Sequence, residues 1–250
     1  MAETTNEAIN GTIKPKRQRA TISEVVHVNA EINLYKLVAD DQQDFNFLPG
    51  QFVMVILKDK EGKEIRRAYS IASSPYTKDY IELCVKYYEN GKLSPLLFKL
   101  KRGDHLDIDG PYGKYTLQRP LPGEMVCIAA GTGIAPIMSF IRTAVTEKVL
   151  TPITLFYGFR YPHDFIYRDE LLLYSRNYRN IIVLPTISTK EAVDWNGHHG
   201  YVQDIAQQKL RIGKSTHAYL CGPPGMVTSA QKMLLDMGMK KEDIFKEQWE

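Results

Sequence analysis

The chain has 250 residues, 44% hydrophobic and 24% charged, which are ordinary values for a globular protein and exclude wholesale disorder or a fibrous class. The formal net charge is only +3, and much of the excess sits in the run Lys14, Pro15, Lys16, Arg17, Gln18, Arg19. The charge therefore marks a local segment and not a basic body. No aromatic residue interleaves with it, so residues 1–19 are expected to form a flexible, solvated arm; binding to nucleic acid or an anionic membrane is the alternative.

Residues 1–11 are polar and acidic and lack the apolar stretch of a signal peptide, which gives a cytoplasmic expectation. Cys84, Cys127 and Cys221 are 43 and 94 positions apart. That spacing suggests no disulfide framework, and three thiols do not supply the four that an iron–sulfur cluster commonly needs.

From Ala20 to Leu117, short β-rich runs alternate with turn residues: Ala20–Val28, Ile32–Val38, Gln51–Leu57, Arg67–Ser73, Tyr80–Tyr87 and His105–Ile108. Turns are explicit at Leu48, Pro49, Gly50 and at Lys60, Glu61, Gly62, Lys63. One helix, Ser94–Lys101, interrupts the strands. The pattern predicts an antiparallel β-barrel domain over 20–119.

A proline-rich connector, Gln118–Gly123, precedes a change of rhythm. Strand-like and helical runs then alternate: Met125–Ala130 and Ile137–Glu147; Ile153–Tyr157 and Arg168–Ser175; Ile181–Thr186 and Val202–Gln208; Ala218–Cys221 and Met226–Met237, with a last strand at Ile244–Lys246. Such alternation predicts an α/β domain with a parallel sheet over 120–250. Met125–Ile141 has 17 residues without a charge, near the minimum for a membrane span. Gly131, Thr132, Gly133 and Pro136 punctuate it, so it reads as strand, tight turn and helix.

Three segments carry chemistry. Gly131, Thr132 and Gly133 lie between a strand and a helix, where backbone amides can approach a pyrophosphate and a helix N-terminus favours its charge. Pro136 fits the first helical turn. The fingerprint is incomplete, since a proline replaces its third glycine and no acidic residue follows at the usual ribose-binding distance. Cys221, Gly222 and Pro223 form a second strand-to-helix turn, in which the thiol either touches a cofactor ring or is a small buried hydrophobe. On a strand, Arg67, Tyr69 and Ile71 share one face: a guanidinium for phosphate, a ring for a planar heterocycle and, next to them, the Ser70 hydroxyl for a ring nitrogen. An exposed Arg and a half-buried Tyr are the plainer alternative.

Taken in order, five blocks resemble the ferredoxin-NADP reductase family, in the branch that includes reductase components of bacterial oxygenases without an iron–sulfur domain. They are Arg67, Ala68, Tyr69, Ser70; the stretch from Val85 and Lys86 through Gly91, Lys92 and Leu93 to Ser94; Gly110–Gly113; Gly131–Pro136; and Cys221–Pro224. The resemblance implies FAD held by Arg67 at its phosphate, Tyr69 on the isoalloxazine and Ser70 at N5, with the stretch from Val85 to Ser94 around the flavin pyrophosphate. Cys221 would lie near nicotinamide C4, and Gly158 would join Gly131 and Gly133 on the dinucleotide side. Hydride transfer is the cofactors' own chemistry, so no triad and no metal are expected.

Trp249 either covers the flavin, as an aromatic residue near the end does in some relatives, or packs on the last strand. His198 and His199 read as a surface loop and not a metal site. Lys190, or else Arg160, is the candidate for a 2′-phosphate; because Trp195–Gly200 lacks an arginine, NADH is favoured over NADPH. The expected activity is hydride transfer between NAD(P)H and FAD, with electrons passed to a ferredoxin or oxygenase on another chain. A flavin reductase releasing reduced flavin and a non-catalytic electron-transfer subunit are the alternatives.

Overall fold

A computed structural model describes residues 13–42, 45–190, 194–213 and 215–248. Two compact units are present: one runs to Leu117 and includes Met138–Thr143, and the other comprises Gln118–Ile137 and the chain from Ala144 onward.

In the first unit, strands β1 (Lys16–Asn29), β2 (Ile32–Ala39), β3 (Phe52–Lys58), β4 (Glu64–Ser70), β5 (Ile81–Lys86) and β6 (His105–Tyr112) form an antiparallel sheet in the order β4-β3-β6-β1-β2-β5. Its edge strands meet just beyond β4, where Ile71 bridges Leu83 and Ala72 N–H donates to the Glu82 carbonyl at 2.7 Å. That closure makes the predicted antiparallel barrel. Inside lie Ile22, Tyr35, Leu37, Val53, Val55, Ile71, Leu83 and Ile108, the inward residues of a period-2 pattern. Burying one such aliphatic side chain contributes about 1.5–3 kcal/mol.

Several boundaries differ from expectation. Lys16 to Arg19 are not part of an arm, because β1 begins at Lys16 and pairs with β6 from there on. Acidic neighbours make this possible: Arg17 Nη2 reaches Glu64 and Asp107, each at 2.6 Å. β4 starts at Glu64 instead of Arg67 and ends at Ser70. The helix α1 is only Ser94–Leu97; beyond it, Lys99 and Leu100 N–H groups bond three residues back, to Leu96 and Leu97, which is tighter than an α-turn.

Also inside the first unit, Arg142 Nη1 donates to Glu82 Oε1 at 2.8 Å and to the Ala72 carbonyl at 2.9 Å. The side chains are 16% and 6% exposed. Ser139 Oγ donates to the Ser73 carbonyl at 2.8 Å.

The second unit is a parallel sheet of β7 (Glu124–Ala130), β8 (Ile153–Phe159), β9 (Ile181–Ile187), β10 (His198–His199), β11 (Thr216–Gly222) and β12 (Ile244–Gln248), ordered β10-β9-β8-β7-β11-β12. Helices α2 (Ile134–Thr146), α3 (Arg168–Asn177), α4 (Val202–Lys209) and α5 (Pro224–Asp236) alternate with the strands. α2 starts earlier than expected because Pro136 occupies its first turn, where no N–H is required; α5 starts earlier with Pro224 at its first position. One face of the sheet packs Val126, Ile128, Phe156 and Leu220 against Val202, Val227 and Leu234. Strand order reverses at β7, the point where an open α/β sheet forms its binding crevice. The uncharged run Met125–Ile141 is therefore a buried strand, turn and helix. No helix among the described residues is long and apolar enough to cross a membrane.

Candidate functional site

The candidate flavin strand β4 lies at the end of the sheet order and pairs with β3, with Val53 opposite Tyr69 and Val55 opposite Arg67. Because paired residues share a face, Arg67 and Tyr69 emerge on the side of the barrel core, at its margin. Arg67 is exposed and donates from Nη1 to the Arg66 carbonyl at 2.9 Å. Tyr69 is half-buried against the core cluster, and burial raises its phenol pKa, opposed by the Arg67 charge. Ala68 is exposed and Ser70 half-buried. An exposed guanidinium, a partly covered ring and a hydroxyl on one short strand fit a flavin nucleotide.

The stretch after β5 is less uniform. Val85 and Leu93 are 0% and 1% exposed and belong to the core, so their side chains are structural. Lys86 lies 3.3 Å from Glu31, and Lys92 is exposed. Ser94 Oγ accepts the Tyr88 N–H at 3.0 Å and donates to the Tyr88 carbonyl at 3.3 Å, while Gly91 N–H bonds the same carbonyl at 2.9 Å. Ser94 thus closes its own loop. A Cβ on Gly91 would lie 2.9 Å from that hydroxyl.

On the dinucleotide side, Gly131–Gly133 form a 3-10 turn between β7 and α2. Gly131 has φ +55°, and a Cβ there would meet nothing within 4 Å. Tyr157 donates its hydroxyl to the Gly131 carbonyl at 3.0 Å. Gly133 is required by contact: a Cβ would sit 2.2 Å from the Cys221 carbonyl oxygen. The two glycine turns, after β7 and after β11, therefore touch backbone to backbone at the switch point. An open, left-handed glycine above a helix N-terminus fits a pyrophosphate. Thr132 is half-buried and Pro136 buried.

Cys221 is 0% exposed, and burial, with the Glu247 carboxylate adding to it, pushes its thiol well above the ordinary value. It remains a neutral thiol. Pro223 is exposed as the residue before α5. Gly158 has a packing reason, since a Cβ would meet Val202 at 2.9 Å. Arg160 is exposed, its guanidinium carbon 5.1 Å from the Tyr161 ring centroid, and Lys190 is exposed. His198 and His199 form β10, beside Thr186 and Ile187 of β9, and not a loop. Trp249 lies outside the described residues. On β9, beside His198, Thr186 has an Oγ1 buried without a hydrogen-bond partner among the described residues.

These sites define a class: a barrel that carries the residue types for a flavin nucleotide and a parallel sheet that carries a dinucleotide turn. Residues 19–117 match the oxidoreductase FAD-binding domain and residues 127–232 the oxidoreductase NAD-binding domain. The chain is 31% identical to ferredoxin–NADP reductase B of Sorangium cellulosum, over 84% of this chain and 88% of that protein. It is 30% identical to the propane 2-monooxygenase reductase component of Mycolicibacterium smegmatis, over 94% of this chain and 68% of that one. Its length spans 58% to 68% of the propane 2-monooxygenase reductase components it matches. A solved ferredoxin reductase of carbazole 1,9a-dioxygenase superposes with a TM-score of 0.83 at 26% identity, covering 95% of this chain and 70% of that one. The chain belongs to the ferredoxin-NADP reductase family. It is an FAD-dependent NAD(P)H oxidoreductase.

Proposed function

We propose that this chain oxidises NAD(P)H at the β7–α2 turn, holds FAD on β4, and passes electrons to a ferredoxin or oxygenase-type acceptor on another protein. The observation that carries this reading is the Gly131–Gly133 turn at the switch point, open above Gly131 and closed beneath Gly133 by Cys221. When bound, the two cofactors supply hydride acceptance and its division into single electrons. Arg67 pairs with the flavin phosphate, Tyr69 lies against the ring, and the Ser70 hydroxyl bonds its edge. Around the pyrophosphate, Val85, Lys86 and Leu93 act through backbone, while Gly91 and Ser94 hold the loop shape. The neutral Cys221 packs beside the nicotinamide without moving a proton, and Gly222 and Pro223 shape its turn. Electrostatics and alignment are the protein's share of the catalysis.

NADH is the expected reductant, because Lys190 and Arg160 are the only cations proposed for a 2′-phosphate and Trp195–Gly200 contains no arginine. Relatives named as reductase components of propane, terephthalate and phenol oxygenases support an oxygenase-type partner. An absorption spectrum of purified protein, recorded before and after NADH and, on a fresh sample, NADPH, tests the reading. Flavin bands that bleach with NADH support it; a colourless protein that FAD does not restore, or bands inert to both reductants, overturns it.

A further inference from the structure

The segment Asp194–Gly200 has no strand or helix of its own before β10, yet it carries a half-buried tryptophan. Trp195 Nε1 donates to the His198 carbonyl at 3.0 Å. Its ring meets Phe159 edge-on, with centroids 5.5 Å apart and planes at 85°, and meets Phe165 at 6.4 Å. Those two rings stack on each other at 4.8 Å. The turn wraps the indole so closely that a Cβ on Gly197 would lie 2.6 Å from indole carbons.

Phe159 ends β8 and is followed directly by Arg160. Two backbone bonds join this end to the segment after β9: Ser188 N–H to the Phe159 carbonyl at 2.9 Å and Thr189 N–H to the Arg160 carbonyl at 3.2 Å. Trp195 holds the same Phe159 by its ring. So three strand ends, of β8, β9 and β10, are fixed to one another around one indole.

A dinucleotide whose pyrophosphate rests on the β7–α2 turn spreads across the switch point, one half toward β11 and the other toward β8 and β9. With nicotinamide on the Cys221 side, the adenosine half lies over the ends that Trp195 joins. We propose that Trp195 is a positioning residue for the adenosine half of the reductant, acting through Phe159 on the placement of Arg160 and Ser188–Lys190. This rests on the dinucleotide reading above.

The test compares NADH with reduced nicotinamide mononucleotide, which lacks the adenosine half. Trp195→Phe keeps an aromatic ring and removes the N–H donor; Gly197→Ala keeps the indole and drives a methyl into its place. Each is expected to raise KM for NADH about tenfold, the loss of one hydrogen bond and part of one ring contact, with kcat and the KM for the mononucleotide unchanged. Calorimetric titration with ADP-ribose is expected to show the same tenfold weakening, independent of turnover. Equal effects on NADH and the mononucleotide, or no effect on ADP-ribose, overturn the proposal. A wild-type protein that NADH does not reduce overturns the functional reading instead.

Discussion

Single side chains divide between those proposed to hold a cofactor and those that hold the fold. Arg67 stands exposed on an edge strand, so its removal leaves little structure to repair. Arg67→Ala is expected to weaken FAD binding, read as loss of the yellow colour on gel filtration, with the melting temperature of the FAD-free protein unchanged. Cys221→Ala is expected to retain flavin and slow its reduction by NADH in a stopped-flow trace; equal flavin loss in both variants would contradict this division. Thr186 offers the opposite case. Its hydroxyl is buried and unpartnered among the described residues, so Thr186→Val replaces a desolvated polar atom with a methyl and is expected to stabilise by up to about 1 kcal/mol in urea titration. A loss of stability would show that the hydroxyl has a bonding partner.

At the scale of elements, charge pairs fix strands that the hydrophobic pattern alone leaves free. Glu64 on β4 accepts Arg17 from β1 and Arg66 from its own strand, and these hydrogen bonds lower its pKa to about 2. A depressed folded-state value means the stabilisation is present above the ordinary carboxylate value, about 4.3, and is lost as pH falls toward 2. Melting curves of wild type and Glu64→Gln are therefore expected to differ at pH 6, less in high salt, and to converge only as pH falls through 2. The Arg142–Glu82 pair is more enclosed. Arg142→Ala strands a buried carboxylate and is expected to cost about 3 kcal/mol, while the double change Arg142→Met with Glu82→Leu recovers most of it. A double variant no better than the single one would show that the bond to the Ala72 carbonyl matters more than the charge.

For the molecule as a whole, binding and stability are linked by mass action. Free FAD at a hundred times its Kd is expected to stabilise the folded chain by about 2.7 kcal/mol, read as a concentration-dependent rise in melting temperature; apoprotein that melts at one temperature whatever the FAD concentration would contradict binding to the folded state.

The barrel and the parallel sheet were legible in the sequence because side-chain period is local: alternation over His105–Ile108 and a mostly buried run over Ile153–Tyr157 report their own environments. Element ends were less legible. Lys16–Arg19 reads as a solvated arm until Glu64 and Asp107, 47 and 90 residues from Arg17, arrive beside it.

The amino-acid order by itself determined the two folding patterns and marked the strand end Arg67–Ser70 and the glycine turn at Gly131 as candidates. Tertiary structure decided what each candidate is free to do. It buried Cys221 and kept it a neutral thiol, turned Val85 and Leu93 inward, gave Gly158 and Gly133 packing reasons, and gathered Phe159, Phe165 and Trp195 around one turn. Propensity and periodicity act over a few residues, whereas burial, ion pairing and backbone contact depend on segments that meet only in the folded chain.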